Sequence, residues 1–218
     1  MQRTQVFVLY VLVGLLFMVT AASAQTTDKP RRFSEYTYDQ LDDKQKAVAD
    51  VMKKKTLSGI GGPNNVLLRS PSLAENIMRF NDHLRYNTSV PLRLNELAIL
   101  LVGRHWNSQF EWALHVPAAK KAGLAEAVIN DLAEGRRPTA MQPDESIVYD
   151  FVTDLLTTHA VRDEVFAKAK AAFGEQQVVD LIGVTGFYVV LAMVLNTAEI
   201  PVPPAAAAAV KPFKPIPR

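Results

Sequence analysis

An all-α fold is what this sequence predicts, on three observations. Apolar residues recur at helical spacing from about residue 40 to residue 196, no run alternates with the period of a strand, and prolines and glycines fall where the periodic stretches begin and end. Cysteine is absent, so chemistry through a thiolate, a disulfide or a sulfenic acid is closed to the chain.

Residues 1–24 read as a cleavable signal peptide. Arg3 supplies the positive start, Val6 to Val19 an almost unbroken apolar run, and Ala22-Ser23-Ala24 a cleavage site before Gln25. The run is short for a bilayer span and no basic cluster follows it, so the expectation is export to the periplasm or the medium without stable membrane insertion. Residues 25–37, with Lys29-Pro30-Arg31-Arg32, read as a flexible lead-in. What remains suits one domain, over residues 38–200. The formal net charge of +2 speaks against a nucleic-acid surface.

Within the domain, Asp39 is the expected N-cap of a helix to about Lys55, with Leu41, Val48, Val51 and Met52 on its apolar side. Gly59, Gly61, Gly62 and Pro63 mark a loop. Ser70-Pro71 opens a helix whose inner face is Leu73, Ile77, Phe80 and Leu84. Pro91 opens the next, with Leu94, Leu97, Ala98 and Leu101 inward. Asn107-Ser108 starts another, closed by Gly123, with Pro117 inside it. Leu124 to Glu134 is a short helix ended by Gly135. Asp144 is the expected cap of a helix carrying Ile147, Phe151, Val152 and Leu155. Asp163 starts one that ends near Gly174, and a final helix runs from about Glu175 to Asn196. That last helix is apolar nearly all round, which predicts burial in the core or between subunits of a homo-oligomer. Residues 201–218, rich in proline and alanine, read as an extended or disordered tail.

Reactive side chains are densest at Glu96, Arg104, His105, Ser108, Glu111 and His115. On one helix, Ser108 and His115 lie about 20° apart around the axis and Glu111 and His115 about 40°. Hydroxyl, carboxylate and imidazole thus share a face, a set suited to proton transfer. Glu96, on the preceding helix, can bring a second carboxylate that holds a proton if burial raises its pKa. Two structural readings compete. Ser108-x-x-Glu111 is also a capping box, and Glu111 with His115 is also a surface pair. A metal site from Glu111, His115 and either His105 or His83 is weaker, because no two histidines have metal-ligand spacing, and none is assigned.

Three stretches, Arg93 to Leu100, Arg104 to His115 and Ala122-Gly123-Leu124, resemble the carboxymuconolactone decarboxylase family and its wider superfamily, with similarity from about Tyr36 to Val202. Arg93-x-x-Glu96 followed by Glu111-Trp112-x-x-His115 is the most specific part. The resemblance implies an alkylhydroperoxidase D-like helical bundle that forms homo-oligomers. In the superfamily's thiol branch a Cys-x-x-Cys pair precedes a histidine. Here those positions fall on Ser108, Glu111 and His115, so a peroxidase-like oxidoreductase is disfavoured. The decarboxylase branch implies a cofactor-free lyase acting on a small carboxylated lactone. In it, His115 and Glu111 manage one proton and Glu96 positions them or acts as the acid. Arg104, whose planar fork suits a carboxylate, clamps the substrate, with Ser108 and His105 beside it. The rival is a non-catalytic ligand-binding or structural paralogue of the same fold.

Overall fold

The structure, a computed structural model, describes residues 31–56 and 58–217; the predicted signal peptide and the start of the lead-in lie outside the described residues. Among the described residues every regular element is helical, as expected. The order is α1 (Asp43–Lys55), α2 (Pro63–Leu67), α3 (Pro71–Asp82), α4 (Leu92–His105), α5 (Gln109–Lys121), α6 (Glu126–Glu134), α7 (Pro143–Thr158), α8 (Asp163–Ala198) and α9 (Pro204–Ala209).

The middle of the bundle is α4, not the final long helix. Every residue from Leu94 to Gly103 is buried, and α5, α6, α7 and α8 all pack on this helix. The segment can be buried all round because only Asn95 and Glu96 are polar within it; the Asn95 NH2 group and both Glu96 oxygens find partners, and only the Asn95 Oδ1 is left without one. The Asn95 amide donates to the Leu84 carbonyl at 2.7 Å, and Glu96 is held by Arg85 and His115, described below. By contrast α8, expected to be buried in the core or between subunits, keeps one face uncovered by the rest of the chain. Val179 is 64% exposed, and Ile182, Val190 and Met193 lie on the same side. Its inner face is fastened by Asp180, which accepts from the Ser89 backbone at 2.8 Å and from the hydroxyls of Ser89 and Thr88. Gly174, at φ 74° and ψ 170°, interrupts the helix where the sequence predicts an end.

Helix limits follow capping chemistry. Gly123 (φ 94°) and Gly135 (φ 76°) close α5 and α6 in left-handed geometry, as expected. Two caps differ from expectation. Asp39 belongs to a short 3-10 turn, Tyr38–Gln40, and it is Asp42 that caps α1, accepting from the Gln45 backbone at 2.8 Å. Helix α7 starts two residues early, at Pro143, with Gln142 and Glu145 in a capping box, which frees Asp144 to pair with Arg93.

Helix α3 is rotated from its predicted face. Ala74, Met78 and Leu84 are buried, while Leu73 and Phe80 are exposed. The helix then widens into a π-turn, His83–Asn87, and the extra residue in that turn re-aims the side chains after Asp82.

Both chain ends of the domain depart from the flexible reading. Residues 31–37 lie against α2: the Tyr36 backbone and the Asn65 side chain exchange two hydrogen bonds of 3.0 and 2.9 Å, and Arg69 covers the Tyr36 ring at 4.2 Å. The proline- and alanine-rich tail forms α9 and then a strap across α4, α5 and the end of α6. Phe213 is buried edge-on to Trp112, at 5.4 Å between centroids. The strap is held through its backbone. Its Lys211 carbonyl accepts from the Trp112 indole at 3.1 Å, its Phe213 carbonyl from Gln109 at 2.9 Å, and its Lys214 N–H donates to the Ala133 carbonyl at 3.1 Å. Composition predicts disorder for such a segment, but one buried aromatic and satisfied carbonyls override it.

Candidate active site

Four side chains meet where α4, α5, α8 and the π-turn converge. His115, on α5, approaches Glu96, on α4, with Nδ1 to Oε2 at 2.7 Å. Arg85, on the π-turn, donates to the other oxygen of Glu96 at 2.6 Å. Glu96 is fully buried, and burial alone would raise its pKa; His115 first and Arg85 second outweigh that and hold it below the ordinary carboxylate range. With Nδ1 turned to Glu96, His115 keeps Nε2 for other partners. Tyr188, on α8, stacks edge-on against the His115 ring at 5.0 Å. Burial pushes its hydroxyl well above the usual range, so it stays protonated, and Arg85 lies close enough to act on it.

Glu111 is the exception in this set. It sits one turn before His115 on α5 and is 3% exposed, yet neither carboxylate oxygen has a hydrogen-bond partner. Close packing puts it there: a Cβ built on Gly103 of α4 would stand 3.4 Å from the Glu111 Cβ, so the glycine lets the two helices approach at that point. Burial drives the Glu111 pKa from 4.5 up to about 8, outweighing the nearby Ser108 hydroxyl, which acts in the opposite direction. At neutral pH this side chain is a carboxylic acid holding its proton.

Glu111, His115, Arg85 and Tyr188 line a cleft of about 920 Å³. The remainder of its wall is largely apolar, from Met78 on α3, Leu114 on α5 and Phe187 and Leu191 on α8. Concave, apolar and with a few convergent polar groups, it has the composition of a small-molecule site.

Three of the six residues singled out from the sequence, Glu96, Glu111 and His115, are brought together, though the pairing differs from expectation. His115 bonds to Glu96, and Glu111 stands alone. The capping-box reading fails on geometry, because Ser108 makes no side-chain cap and its buried Oγ has no partner. Arg104 and His105 are not part of the cleft. The Arg104 guanidinium lies over the Phe213 ring at 5.2 Å, donates to the Lys214 carbonyl, and crowds Gly135 so closely that a Cβ there would fall 2.3 Å from Nη2. It anchors the strap and is not placed to clamp a substrate. His105 is exposed and packs against Trp106. His83, weighed as a metal ligand, lies 3.3 Å from Asp180.

Arg85 and Tyr188 were not singled out from the sequence. Tyr188 sits in the apolar run of α8, where an aromatic residue reads as core. Arg85 carries a faint signal: Met78, Asn81 and Arg85 recur at three and four residues, and all three line the cleft. The π-turn that completes its placement leaves no mark in the spacing.

Comparison with known proteins agrees with this anatomy. Residues 71–152, spanning α3 to the middle of α7 and so Arg85, Glu96, Glu111 and His115, match the carboxymuconolactone decarboxylase family. No curated protein sequence matches. Among solved structures, an alkylhydroperoxidase AhpD core, an uncharacterized peroxidase-related protein from Ralstonia eutropha JMP134, superposes with a TM-score of 0.65 at 15% identity, covering 81% of this chain and 94% of that one. An uncharacterized peroxidase-related protein from Silicibacter sp. TM1040 does so with a TM-score of 0.62 at 15% identity, covering 82% and 94%. Over residues 71–152 the chain is thus similar to the carboxymuconolactone decarboxylase family, and its fold is that of an alkylhydroperoxidase AhpD core, while the sequence holds no cysteine.

Proposed function

We propose that the protein is a cofactor-free carboxy-lyase acting on a small carboxylated lactone, with Glu111 as the proton donor. The observation that carries this reading is the partnerless, buried Glu111 on the cleft wall, one helical turn from a histidine that Glu96 orients. Holding an unsatisfied carboxyl group in the interior costs stability, and a fold keeps such a group where it has work to do.

The chemistry balances with the groups present. The substrate carboxylate breaks its carbon–carbon bond and leaves as carbon dioxide, and the electron pair passes into the lactone carbonyl as an enolate. Arg85 and the Tyr188 hydroxyl are the donors available to a developing oxyanion. Glu111 gives its proton to the carbon, becomes a carboxylate, and regains a proton through His115, so one proton is consumed per turnover. A thiol peroxidase cycle has no cysteine to run on in this chain.

Two further parts of the reading rest on other regions. The apolar face of α8, with Phe80 of α3 beside Gly183, favours self-association into a homo-oligomer. The leader sequence favours action outside the cytoplasm.

The test is carbon dioxide release from a panel of carboxylated lactones, without metals, flavins or nicotinamides. Turnover by the wild type that Glu111→Gln abolishes supports the reading. Turnover that survives the substitution removes Glu111 from the mechanism, and a panel without any turnover leaves a ligand-binding paralogue as the better account.

A further inference from the structure

The segment read from the sequence as a flexible lead-in is part of the cleft wall. Between residues 31 and 35 alternate positions divide the work, as extended chain allows. Arg31, Phe33 and Glu35 line the cleft, while Arg32 and the Ser34 carbonyl are bonded to the body of the domain. The segment passes from α2, through Asn65 and Arg69, to the end of α8, through Thr197 and Glu199. The residues that follow α8 also line the cleft, and Pro201, Pro203 and Pro204 among them have fixed φ and make a stiff rim.

The two ends of this segment are fastened unequally. At Tyr36 the backbone N–H and carbonyl both bond to the side chain of Asn65, at 3.0 and 2.9 Å, and Asn65 is itself buried. Arg69 adds a bond to the Ser34 carbonyl and covers the Tyr36 ring. At Arg32 the hold is an ion pair with Glu199 at 2.8 Å, between side chains 52% and 37% exposed, and a bond to the Thr197 carbonyl at 3.0 Å. Exposed pairs of this kind hold weakly and are screened by salt. Arg31 and Glu35 pair within the segment, so their charges travel with it. Glu199 also stands in left-handed geometry, φ 53°, at the end of α8, where glycine or asparagine is favoured. Glutamate there costs conformational energy, and it sets a carboxylate where Arg32 meets it.

We propose that residues 31–35 are a lid on the cleft, hinged where Tyr36 meets Asn65 and latched where Arg32 meets Thr197 and Glu199. Releasing the latch lets the segment swing from the rim and opens the apolar wall to a ligand. Closing it returns the half-buried Phe33 ring to that wall and shuts out water around whatever is bound. This rests on the reading of the cleft as the active site and not on the chemistry proposed for it.

Because the chain has no cysteine, one introduced thiol reports on the wall without interference. Met78→Cys places it on α3 and Leu191→Cys on α8, so that one site serves if the other fails to fold. Modification by N-phenylmaleimide, followed by intact mass, reads how readily the cleft opens. Added to either background, Arg32→Gln should raise the labelling rate about threefold or more. Glu199→Gln should raise it less, because the bond to the Thr197 carbonyl remains, and the two together should match Arg32→Gln alone. Raising salt from about 0.02 M to about 1 M should speed labelling about twofold with the latch intact and not with Arg32→Gln. Arg136→Gln breaks an exposed pair with Asp131 outside the cleft and should leave the rate unchanged. Labelling that ignores Arg32 and Glu199, or that rises only in step with a lowered melting temperature, would overturn the lid. The assay needs no substrate. Latch-dependent labelling without carbon dioxide release would fell the lyase reading alone, and carbon dioxide release with latch-independent labelling would fell the lid alone.

Discussion

The two sides of the α4–α5 pair use similar side chains to opposite ends. On the strap side Arg104, Gln109 and Trp112 each give a hydrogen bond to a backbone carbonyl of the tail. Asn107 exchanges two with Ile216, at 3.1 and 2.8 Å. On the cleft side Glu111 and Ser108 are buried with no partner, and Glu96 is held between Arg85 and His115. The difference separates holding from doing. A polar group whose bonds are complete contributes to stability, and one left incomplete in the interior costs stability and marks a place where a ligand or a proton completes it.

The comparison can be broken first at its active face. Glu111→Gln and His115→Gln should each lower turnover on the responsive lactone by about two to four orders of magnitude while the fold survives. Steady-state kinetics with a thermal melt on the same samples read both quantities. If turnover and melting temperature fell together, the cleft side would be structural after all.

The strap side should answer in the other currency. Phe213→Ala removes a buried ring from against Trp112 and should cost about 3 kcal/mol of stability by denaturant unfolding. Turnover at a temperature where the variant is folded should change less than about twofold. Arg104→Gln removes a charge-assisted bond to the Lys214 carbonyl and should cost about 1–2 kcal/mol, again with turnover kept. If it instead raised KM for the substrate without loss of stability, Arg104 would return to the site. Smallest of all, His105→Gln at an exposed position should stay within about 0.5 kcal/mol and leave the kinetics unchanged.

How much of this the sequence carries depends on range. Most of the longer helices and their ends are legible because caps are local chemistry, with Gly123, Gly135 and Pro71 acting within a turn of themselves, whereas α2 falls partly in a stretch read as a loop and α9 in the tail. The grouping of Glu96, Glu111 and His115 is legible because two lie on one helix and their spacing fixes their face. Which groups pair is not, since the approach of α4 to α5 at Gly103 decides that His115 meets Glu96 and that the Glu111 carboxyl is left without a hydrogen bond. Arg104 and Arg85 show the limit best. The first sits in the densest motif and the second outside it. Their roles are exchanged by two non-local features, a strap from residues 211–217 and a π-turn after Asp82. The enclosure of α4 and the uncovered face of α8 likewise depend on which helix reaches the middle, and apolar content alone does not tell the two apart.

The protonation of Glu111 also links site to stability. Its folded pKa, about 8, lies above its unfolded value, so between roughly pH 4.5 and 8 the folded state binds the extra proton and stability falls as pH rises. Glu111→Gln lacks that dependence, and its stability relative to wild type should grow by up to about 1.4 kcal/mol per pH unit across that interval. The most direct measurement is the titration of the Glu111 carboxyl itself, by carbon-13 NMR of the protein labelled at glutamate side-chain carboxyls, with Glu111→Gln to assign the resonance. A midpoint near 8 is the predicted result, and a midpoint near the ordinary 4.5 would contradict a proton held in the cleft at neutral pH.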